Sequence, residues 1–459
     1  MLGFQRDDTI VGPATAIGEG GIAIIRISGP LTLSLLTKFF RPVQSGSFEF
    51  QSHYLYFGKF IREDLTTVDE IMAVFMRQPK TYTREDVGEI HCHGNRFIIQ
   101  EIIDCLLDSG ARLALPGEFT FRAFQNGRID LSQAEAVADV IQAKSLAAEK
   151  IAIGQLSGKL SKIIHGYRDK IFELVVLVEA YIDFPDDEID PPHFHKLKSD
   201  AQQLLDEMGQ LLQQFDSGRI LRDGISILII GRPNVGKSSL LNSFLGESRA
   251  IVTHIPGTTR DTIEEQIIIG GVPVRIVDTA GIRQTNDPVE AEGVFRAQKK
   301  IAAADIVLLV VDGSVSLTDE DVLAFDLCKS NKTILVINKN DKAMVGLDHE
   351  ILKLPHCYIS AKNDDGIDDL KNLILDSLDI DSDLDTRENV VLSDRRHREA
   401  IRQCQLSLVK FLENLSLGGF PELLAMELRE GLSALGVITG ESTPDDILNN
   451  IFGRFCVGK

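Results

Sequence analysis

The chain lacks long apolar runs, paired cysteines and any excess of basic charge, and each absence excludes a class of protein. Its longest uninterrupted apolar stretch, Ile306 to Val311, falls far short of the roughly twenty residues that a membrane-spanning helix needs. Six cysteines (Cys92, Cys105, Cys328, Cys357, Cys404 and Cys456) are scattered without a C-x-x-C pair. In a chain this long they do not read as a disulfide scaffold, and reduced thiols in a reducing compartment fit best. Lys and Arg total 48 against 68 for Asp and Glu, a net charge of −20. Such a surface is a poor non-specific glue for nucleic acid, which draws on many cations, although a local basic patch stays open. The N-terminus shows neither a basic region leading into an apolar core nor an Arg-rich amphipathic segment. A cytoplasmic protein with no membrane partner is therefore expected.

What is present reads as globular. Hydrophobic residues make up 44% and charged residues 25% of 459 residues, enough for roughly three domains. The segment up to Arg122 mixes short β-like runs, Ile22 to Ile27 and Ile71 to Phe75, with turns at Gly20-Gly21 and Gly29-Pro30. It holds 12 basic and 15 acidic residues, so most of the acidity lies elsewhere. From Leu131 to Phe215 the pattern is helical, with Ser132 and Glu135 at capping-box spacing and Ala134, Val137, Ala138 and Ile141 at helical intervals. The acidic run Asp183 to Glu188 and Pro191-Pro192 separate two long helices and read as a solvated loop in preference to a metal site. Between Gly224 and Leu378 strands and helices alternate, which predicts a parallel sheet wrapped by helices. Asp379 to Asp394 is an acidic connector, after which Ile401, Cys404, Leu408, Phe411 and Leu415 restore a helical stripe. Thr443-Pro444-Asp445 signals a last helix, with the proline at its first position. The expected architecture is multidomain, α/β plus all-α, with the α/β domain inserted into a helical one.

Gly231-Arg232-Pro233-Asn234-Val235-Gly236-Lys237-Ser238 fits the phosphate-binding loop, between the apolar run Ile225 to Ile230 and a helix through Leu240. Its glycines let backbone amides close around phosphates at a helix N-terminus. Lys237 would contact the β- and γ-phosphates and the Ser238 hydroxyl would ligate Mg²⁺. Asp278-Thr279-Ala280-Gly281 follows the strand-like Val272 to Val277, its aspartate suited to Mg²⁺ through water and the Gly281 amide to the γ-phosphate. Asn338-Lys339-Asn340-Asp341 ends Thr333 to Ile337. A carboxylate at Asp341 can accept from guanine N1–H and the exocyclic amine together, a donor pair adenine lacks, so the base is guanine. Ser360-Ala361-Lys362 offers a backbone amide to guanine O6, and a threonine of Gly257-Thr258-Thr259-Arg260-Asp261 can complete the Mg²⁺ shell. Together these predict a GTP site drawing on Asn234, Val235, Gly236, Lys237, Ser238, Ser239, Thr253, His254, Ile255, Pro256, Gly257, Thr258, Thr259, Asp278, Thr279, Ala280, Gly281, Asn338, Lys339, Asp341, Ser360, Ala361 and Lys362.

One position departs from Ras-like proteins. Where they carry a glutamine that orients the attacking water, immediately after Gly281, this chain has Ile282. Isoleucine cannot hydrogen-bond to water, so either hydrolysis is negligible or another polar group and another positive charge take over. Asn234 is a candidate ligand for a monovalent cation beside the phosphates, or an amide that ties down the loop.

The chain resembles, end to end, the MnmE (TrmE) family of tRNA-modification GTPases. The resemblance rests on Gly257-Thr258-Thr259-Arg260-Asp261, on Gly20-Gly21-Ile22-Ala23-Ile24-Ile25-Arg26-Ile27-Ser28-Gly29, on Pro116-Gly117-Glu118-Phe119-Thr120 and on the terminal Cys456-Val457-Gly458-Lys459. It implies a homodimer joined through N-terminal α+β domains that bind 5-formyltetrahydrofolate. It also implies G domains that meet in the presence of potassium, which activates hydrolysis without an arginine finger. Carried over, the K⁺ ligands are Asn234, Thr253, Ile255 and Thr258, the Mg²⁺ ligands Ser238 and Thr259, and Glu290 orients water through a bridging water. Folate would be held by Arg26, Glu85, Arg128 and Lys459, position 128 being Arg where relatives often show Lys. The family acts with the flavoprotein MnmG, in a heterotetramer, to place an aminomethyl or carboxymethylaminomethyl group on C5 of the wobble uridine (U34) of certain tRNAs. On this reading the domains are 1–122 (folate binding and dimerisation), 123–220 (first helical half), 221–380 (G domain) and 381–459 (second helical half).

Two alternatives stand beside it. A ribosome-assembly GTPase of the Era or Der kind would explain the G domain but expects a basic appendage or a second G domain. A folate enzyme in which GTP is only regulatory would place the chemistry in the first 122 residues. Cys456, near Arg454 and Lys459, reads as a packed or folate-adjacent thiol rather than a nucleophile. His91-Cys92-His93 shows two histidines on one strand face without an evident third ligand, so no metal is expected there.

Overall fold

Hydrophobic alternation and helical stripes resolve into the elements that the sequence predicts. The structure, a computed structural model, describes residues 8–16, 18–43, 47–183, 191–247, 264–277, 298–347, 349–378, 391–453, 455 and 458. Two compact units emerge: one is Met1–Ile141, Gln155–Ala201 and Gln403–Lys459, the other Gln142–Gly154 and Gln202–Arg402.

In the first unit the chain runs β1 (Ile10–Pro13), β2 (Gly20–Ser28), α1 (Thr32–Phe39), β3 (Phe40–Pro42), β4 (Tyr54–Ile61), β5 (Thr67–Met76), β6 (Val87–Gly94), α2 (Arg96–Asp108), β7 (Arg112–Leu113) and α3 (Glu118–Gln125). The strands form one sheet in the order β3-β4-β5-β6-β2-β1-β7, antiparallel except for β1 with β7. Period-two alternation sets which face is covered: in β5, Ile71, Ala73 and Phe75 point into the core while Met72 and Val74 stay half-exposed. Leu35, Leu36 and Phe39 of α1 and Ile102, Ile103 and Leu106 of α2 close that core against Ile25, Ile27 and Ile90. Each such side chain contributes roughly 1.5–3 kcal/mol when fully buried.

Helices follow: α4 (Leu131–Gln142), α5 (Leu146–Leu156), α6 (Lys159–Asp183), α7 (Pro191–Gln213) and α8 (Phe215–Asp223). The start of α4 corrects one expectation. The reciprocal cap is Asp130 with Gln133, not Ser132 with Glu135: Gln133 N–H donates to Asp130 Oδ1 (2.9 Å) and Asp130 N–H to Gln133 Oε1 (3.0 Å). Asp130 supplies the same acceptor chemistry two residues earlier, and Ser132 donates its hydroxyl to that carboxylate at 2.8 Å.

The alternating region forms β8 (Ile225–Ile230), α9 (Lys237–Glu247), β9 (Glu264–Ile269), β10 (Val272–Val277), β11 (Ile306–Asp312), α10 (Asp319–Cys328), β12 (Thr333–Asn338), β13 (His356–Tyr358) and α11 (Ile367–Asp376). The sheet order is β13-β12-β11-β8-β10-β9, parallel apart from the β9–β10 hairpin. All of β11 and β12 is buried, as continuous apolar runs in a two-sided sheet require.

Three helices end the chain: α12 (Arg395–Ser416), α13 (Pro421–Thr439) and α14 (Asp445–Phe452). In α12 the stripe Ile401, Cys404, Leu408, Phe411 and Leu415 is buried as predicted. In the first unit α13 packs on α6, with Arg429 paired to Glu179 at 2.6 Å. At α14 the sequence expectation shifts by one residue. Pro444, extended at φ −60° and ψ 147°, is the N-cap, and its carbonyl accepts from Leu448 N–H. Thr443 instead donates to Val437 O at 3.0 Å. The fold is therefore α/β plus all-α: an α/β domain carrying the phosphate loop, inserted in sequence between helical segments, after an N-terminal α+β domain. Among the described residues no helix is long and apolar enough to cross a membrane.

Asp394, ahead of α12, shows how a charge holds the second unit. It accepts from Arg396 N–H at 2.7 Å and pairs with Arg222 of α8 at 3.1 Å. Burial works against its ionised form, but the charges of His397 and Arg222 and the hydrogen bonds outweigh it and hold the carboxyl down at about 2. A depressed folded-state pKa contributes stability that is full above the ordinary carboxylate value and lost as pH falls toward 2. Asp394→Asn keeps the capping acceptor but not the charge. We expect it to destabilise this unit by roughly 2 kcal/mol at neutral pH and to flatten the stability slope between pH 4 and 2, read by denaturant titration. An unchanged acid slope would refute this role.

Candidate functional site: a nucleotide-binding loop cluster and a cationic cluster

The phosphate loop leaves β8 at Gly231 and enters α9 at Lys237. Asn234 is left-handed at φ 63°, and Gly236 has φ 103° with the Asn338 side-chain amide so close that a Cβ would collide with it. Only glycine satisfies both demands there. Lys237 Nζ lies over the loop, donating to Gly231 O (2.7 Å) and Arg232 O (2.8 Å), which holds its charge where phosphates would be cradled. Val235 is buried and packs in the sheet core, whereas Asn234, Ser238 and Ser239 are exposed. An exposed hydroxyl at the first turn of α9 is of the kind that suits a hard cation. Arg232 is drawn toward Asp321 of α10, 3.2 Å away.

The base-reading loop meets this loop directly. Asn338 is buried at the end of β12; its Nδ2 donates to Val235 O (2.7 Å), and its Oδ1 accepts from Lys339 N–H (2.8 Å) and Ala361 N–H (3.0 Å). One side chain thus ties three segments together. Lys339 Nζ donates to Asn234 O (3.0 Å) and to Asp312 Oδ2 (2.5 Å). The Ser360 hydroxyl donates to Asp341 Oδ1 at 2.8 Å. That bond holds the Asp341 carboxyl below its ordinary range, so it stays an acceptor at neutral pH. Burial pushes the Asp312 carboxyl upward, but the bonds from Lys339 and Ser314 outweigh this and hold it at about 2. Of the predicted GTP-binding residues, those from Asn234 to Ser239 and from Asn338 to Lys362 are brought together. Thr253, His254, Ile255, Pro256, Gly257, Thr258, Thr259, Asp278, Thr279, Ala280, Gly281, Ile282 and Glu290 lie outside the described residues, as do Arg454, Cys456 and Lys459.

In the first unit, Arg26 and Arg128 converge on the Tyr82 ring. The guanidinium carbons of Arg26 and Arg128 stand 5.4 and 4.6 Å from its ring centre, within cation–π range. Arg26 is held by Glu89 at 2.9 Å. Glu85 accepts from Ser28 Oγ (2.7 Å) and from the buried Arg122 (3.1 Å), yet its side chain remains 27% exposed, enough to meet a ligand edge. Arg122 also reaches Asp8 and the fully buried Glu118, on which Arg112 closes with two bonds of 2.6 and 2.9 Å. Left-handed Gly458 lies against Pro13 of β1, where a side chain would collide. Gly12, beside Pro13, pairs with Arg26 in the sheet, so Gly458 lies near this corner.

Sequence reasoning missed Tyr82, Arg122 and Asp312. Asp312 carries a signal of its own: a carboxylate closing a fully apolar strand, as Asn338 closes the next. Among the described residues no group of three or more His, Cys, Asp and Glu is arranged for a metal, and His93 instead bonds Asp69 at 2.7 Å. Burial pushes the thiols of Cys92, Cys328 and Cys357 up to about 11 and that of Cys404 up to about 12. Those thiols are therefore unreactive at neutral pH. All five described cysteines are free.

A family model described as the MnmE helical domain matches residues 131–456, and one described as the GTP-binding protein TrmE N-terminus matches residues 9–128. The tRNA modification GTPase MnmE of Syntrophotalea carbinolica is 52% identical over 454 residues, covering 99% of this chain and 99% of that protein. Its counterpart in Geobacter sulfurreducens is 48% identical over 457 residues, again covering 99% of each. Among solved structures, the G domain of the T. maritima FeoB iron transporter is similar at 24% identity and a TM-score of 0.26, over 33% of this chain and 98% of that one.

Proposed function

Because this chain belongs to the MnmE family of tRNA modification GTPases, we propose that it hydrolyses GTP to drive modification of C5 of the wobble uridine in certain tRNAs, together with an MnmG flavoprotein. The group installed is aminomethyl or carboxymethylaminomethyl. The observation that carries the reading is the junction of phosphate loop and base loop through Asn338, with Asp341 oriented by Ser360 beside it. A full-length match to relatives of this one kind, including the N-terminal segment, leaves the ribosome-assembly alternative without support.

The chain's own residues divide the work. Lys237 and the loop amides bind the β- and γ-phosphates, and Asp341 selects guanine. Ser238, exposed at the first turn of α9, fits Mg²⁺ and would hold it with Thr259. Asn234 fits K⁺ and would hold it with Thr253, Ile255 and Thr258. When bound, the two cations would supply positive charge of the kind that phosphoryl transfer requires. Glu290 orients the water that Ile282 cannot.

The cluster of Arg26, Arg128 and Glu85 around Tyr82 suits a folate such as 5-formyltetrahydrofolate. A carboxylate at Glu85 suits the N–H edge of a pterin, and Arg26, Arg128 and Lys459 suit an anionic glutamyl tail. Its one-carbon unit is the suggested source of the added group. We propose a homodimer through the N-terminal domains, forming a heterotetramer with MnmG in the cytoplasm. The sheet face opposite α1 and α2 supports the dimer: Leu55 and Phe57 of β4 are half exposed there and pair with Val74 and Met72. The domains are taken as 1–122, 123–220, 221–380 and 381–459.

Two measurements test the reading. Hydrolysis in KCl should exceed that in NaCl at equal ionic strength by roughly tenfold or more, and equal rates would remove the potassium mechanism. Mass spectrometry of tRNA nucleosides from a deletion strain should show the C5 modification missing at the wobble uridine. Its presence at normal levels would overturn the proposed function.

A further inference from the structure

We propose that Asp312, which belongs to none of the nucleotide motifs, is a positioning residue for GTP hydrolysis: through Lys339 it holds the Asn234 backbone and so couples guanine binding to the cation side of the phosphate loop. The inference deepens the proposed function and rests on it. Asp312 closes β11 and is 8% exposed. Both carboxylate oxygens are committed. Oδ1 accepts from Ser314 Oγ (2.6 Å) and Ser314 N–H (3.0 Å), and Oδ2 accepts from Lys339 Nζ (2.5 Å). The carboxylate therefore has one orientation, and it aims one ammonium group.

That ammonium group spends a second hydrogen bond on Asn234 O at 3.0 Å. Asn234 sits at φ 63°, a conformation that asparagine tolerates but that costs more than its right-handed alternatives. A donor on its carbonyl helps select this conformation, and with it the direction in which the exposed Asn234 side chain leaves the loop. The next carbonyl, Val235 O, is taken by Asn338 at 2.7 Å. Two successive residues of the base-reading loop thus grip two successive carbonyls of the phosphate loop. Lysine is a flexible point charge whose ammonium reaches many positions. The neutral carbonyl of Asn234 is a weaker anchor for that ammonium than the Asp312 carboxylate, because only the carboxylate adds the attraction of a full opposite charge. Asp312 makes the grip of Lys339 specific, so ordering either loop favours the other, and the coupling is reciprocal.

The test uses the full chain. Asp312→Asn removes the charge, and Ser314→Ala leaves the carboxylate but loosens it. GTP hydrolysis is titrated with GTP and with KCl, using NaCl to keep ionic strength constant. Asp312→Asn should raise both the KM for GTP and the K⁺ concentration for half-activation by roughly 5–10-fold. The kcat at saturation of both should stay within about twofold of the parent. Ser314→Ala should move both constants the same way by about twofold. Preference for GTP over ITP should not change, since Asp341 is untouched. A purely structural role would lower the melting temperature without moving the K⁺ constant at saturating GTP. Unmoved constants in Asp312→Asn, or a loss confined to kcat, would overturn the proposal. Should Asp312→Asn fail to fold, unmoved constants in Ser314→Ala would do the same. Equal parent rates in KCl and NaCl would overturn the potassium reading and the coupling with it, whereas a potassium-stimulated parent with an unmoved Asp312→Asn would overturn only the role of Asp312.

Discussion

Asp341→Asn should weaken GTP binding on the order of a thousandfold and shift preference toward XTP. Guanine presents two donors, N1–H and the exocyclic amine, and an ionised carboxylate accepts both. The Ser360 hydroxyl, 2.8 Å from Oδ1, orients that carboxylate and favours its ionised form. An amide keeps one acceptor and replaces the other with a donor. It therefore meets guanine's amine donor to donor but suits xanthine, which bears a carbonyl at that carbon. Fluorescent-nucleotide competition with GTP and XTP reads the exchange. An Asp341→Asn protein that still prefers GTP would place guanine recognition elsewhere. Lys237 and Asn338 are untouched, so the phosphate loop and its tie to β12 should persist in the variant.

Glu290→Ala should slow turnover on the order of a hundredfold or more while leaving GTP affinity within a few-fold. Ile282 is a hydrocarbon at the place where a water-orienting amide would stand after Gly281. Phosphoryl transfer is catalysed by positioning and charge neutralisation, so an absent positioner must be replaced. An acid that acts only on the attacking water, through a bridging water, contributes to the transition state and little to ground-state binding, which puts its loss in kcat rather than KM. Single-turnover kinetics beside nucleotide binding separate the two. Unchanged turnover would clear Glu290 of the role, and equal losses in both would assign it to binding.

The chemistry of phosphate and guanine is written locally. A phosphate cradle needs glycines where backbone amides converge and a lysine at fixed spacing, and a guanine reader needs a carboxylate just beyond a strand end. Contiguous residues meet those needs, so Gly231 to Ser238 and Asn338 to Asp341 are legible in one dimension, as are the buried strands that deliver them. The helical stripe of α12 is legible for the same reason, because periodicity is a property of neighbours.

Where two candidate groups compete for one role, sequence spacing alone misleads. Ser132 and Glu135 have the spacing of a capping box, yet Asp130 and Gln133 form it, because the chain's path after α3 decides which acceptor meets the free amides. Spacing likewise puts Pro444 inside α14, while its extended backbone puts it at the cap. Composition and local motif determined the class of nucleotide and the parallel sheet. Only the tertiary structure decided that Arg26 and Arg128 share the Tyr82 ring, that Arg122 stands behind Glu85, and that Asp312 aims Lys339 at the phosphate loop. The physical reason is that such pairings join residues far apart in the chain, and their energy exists only once the sheets have brought them within hydrogen-bonding distance.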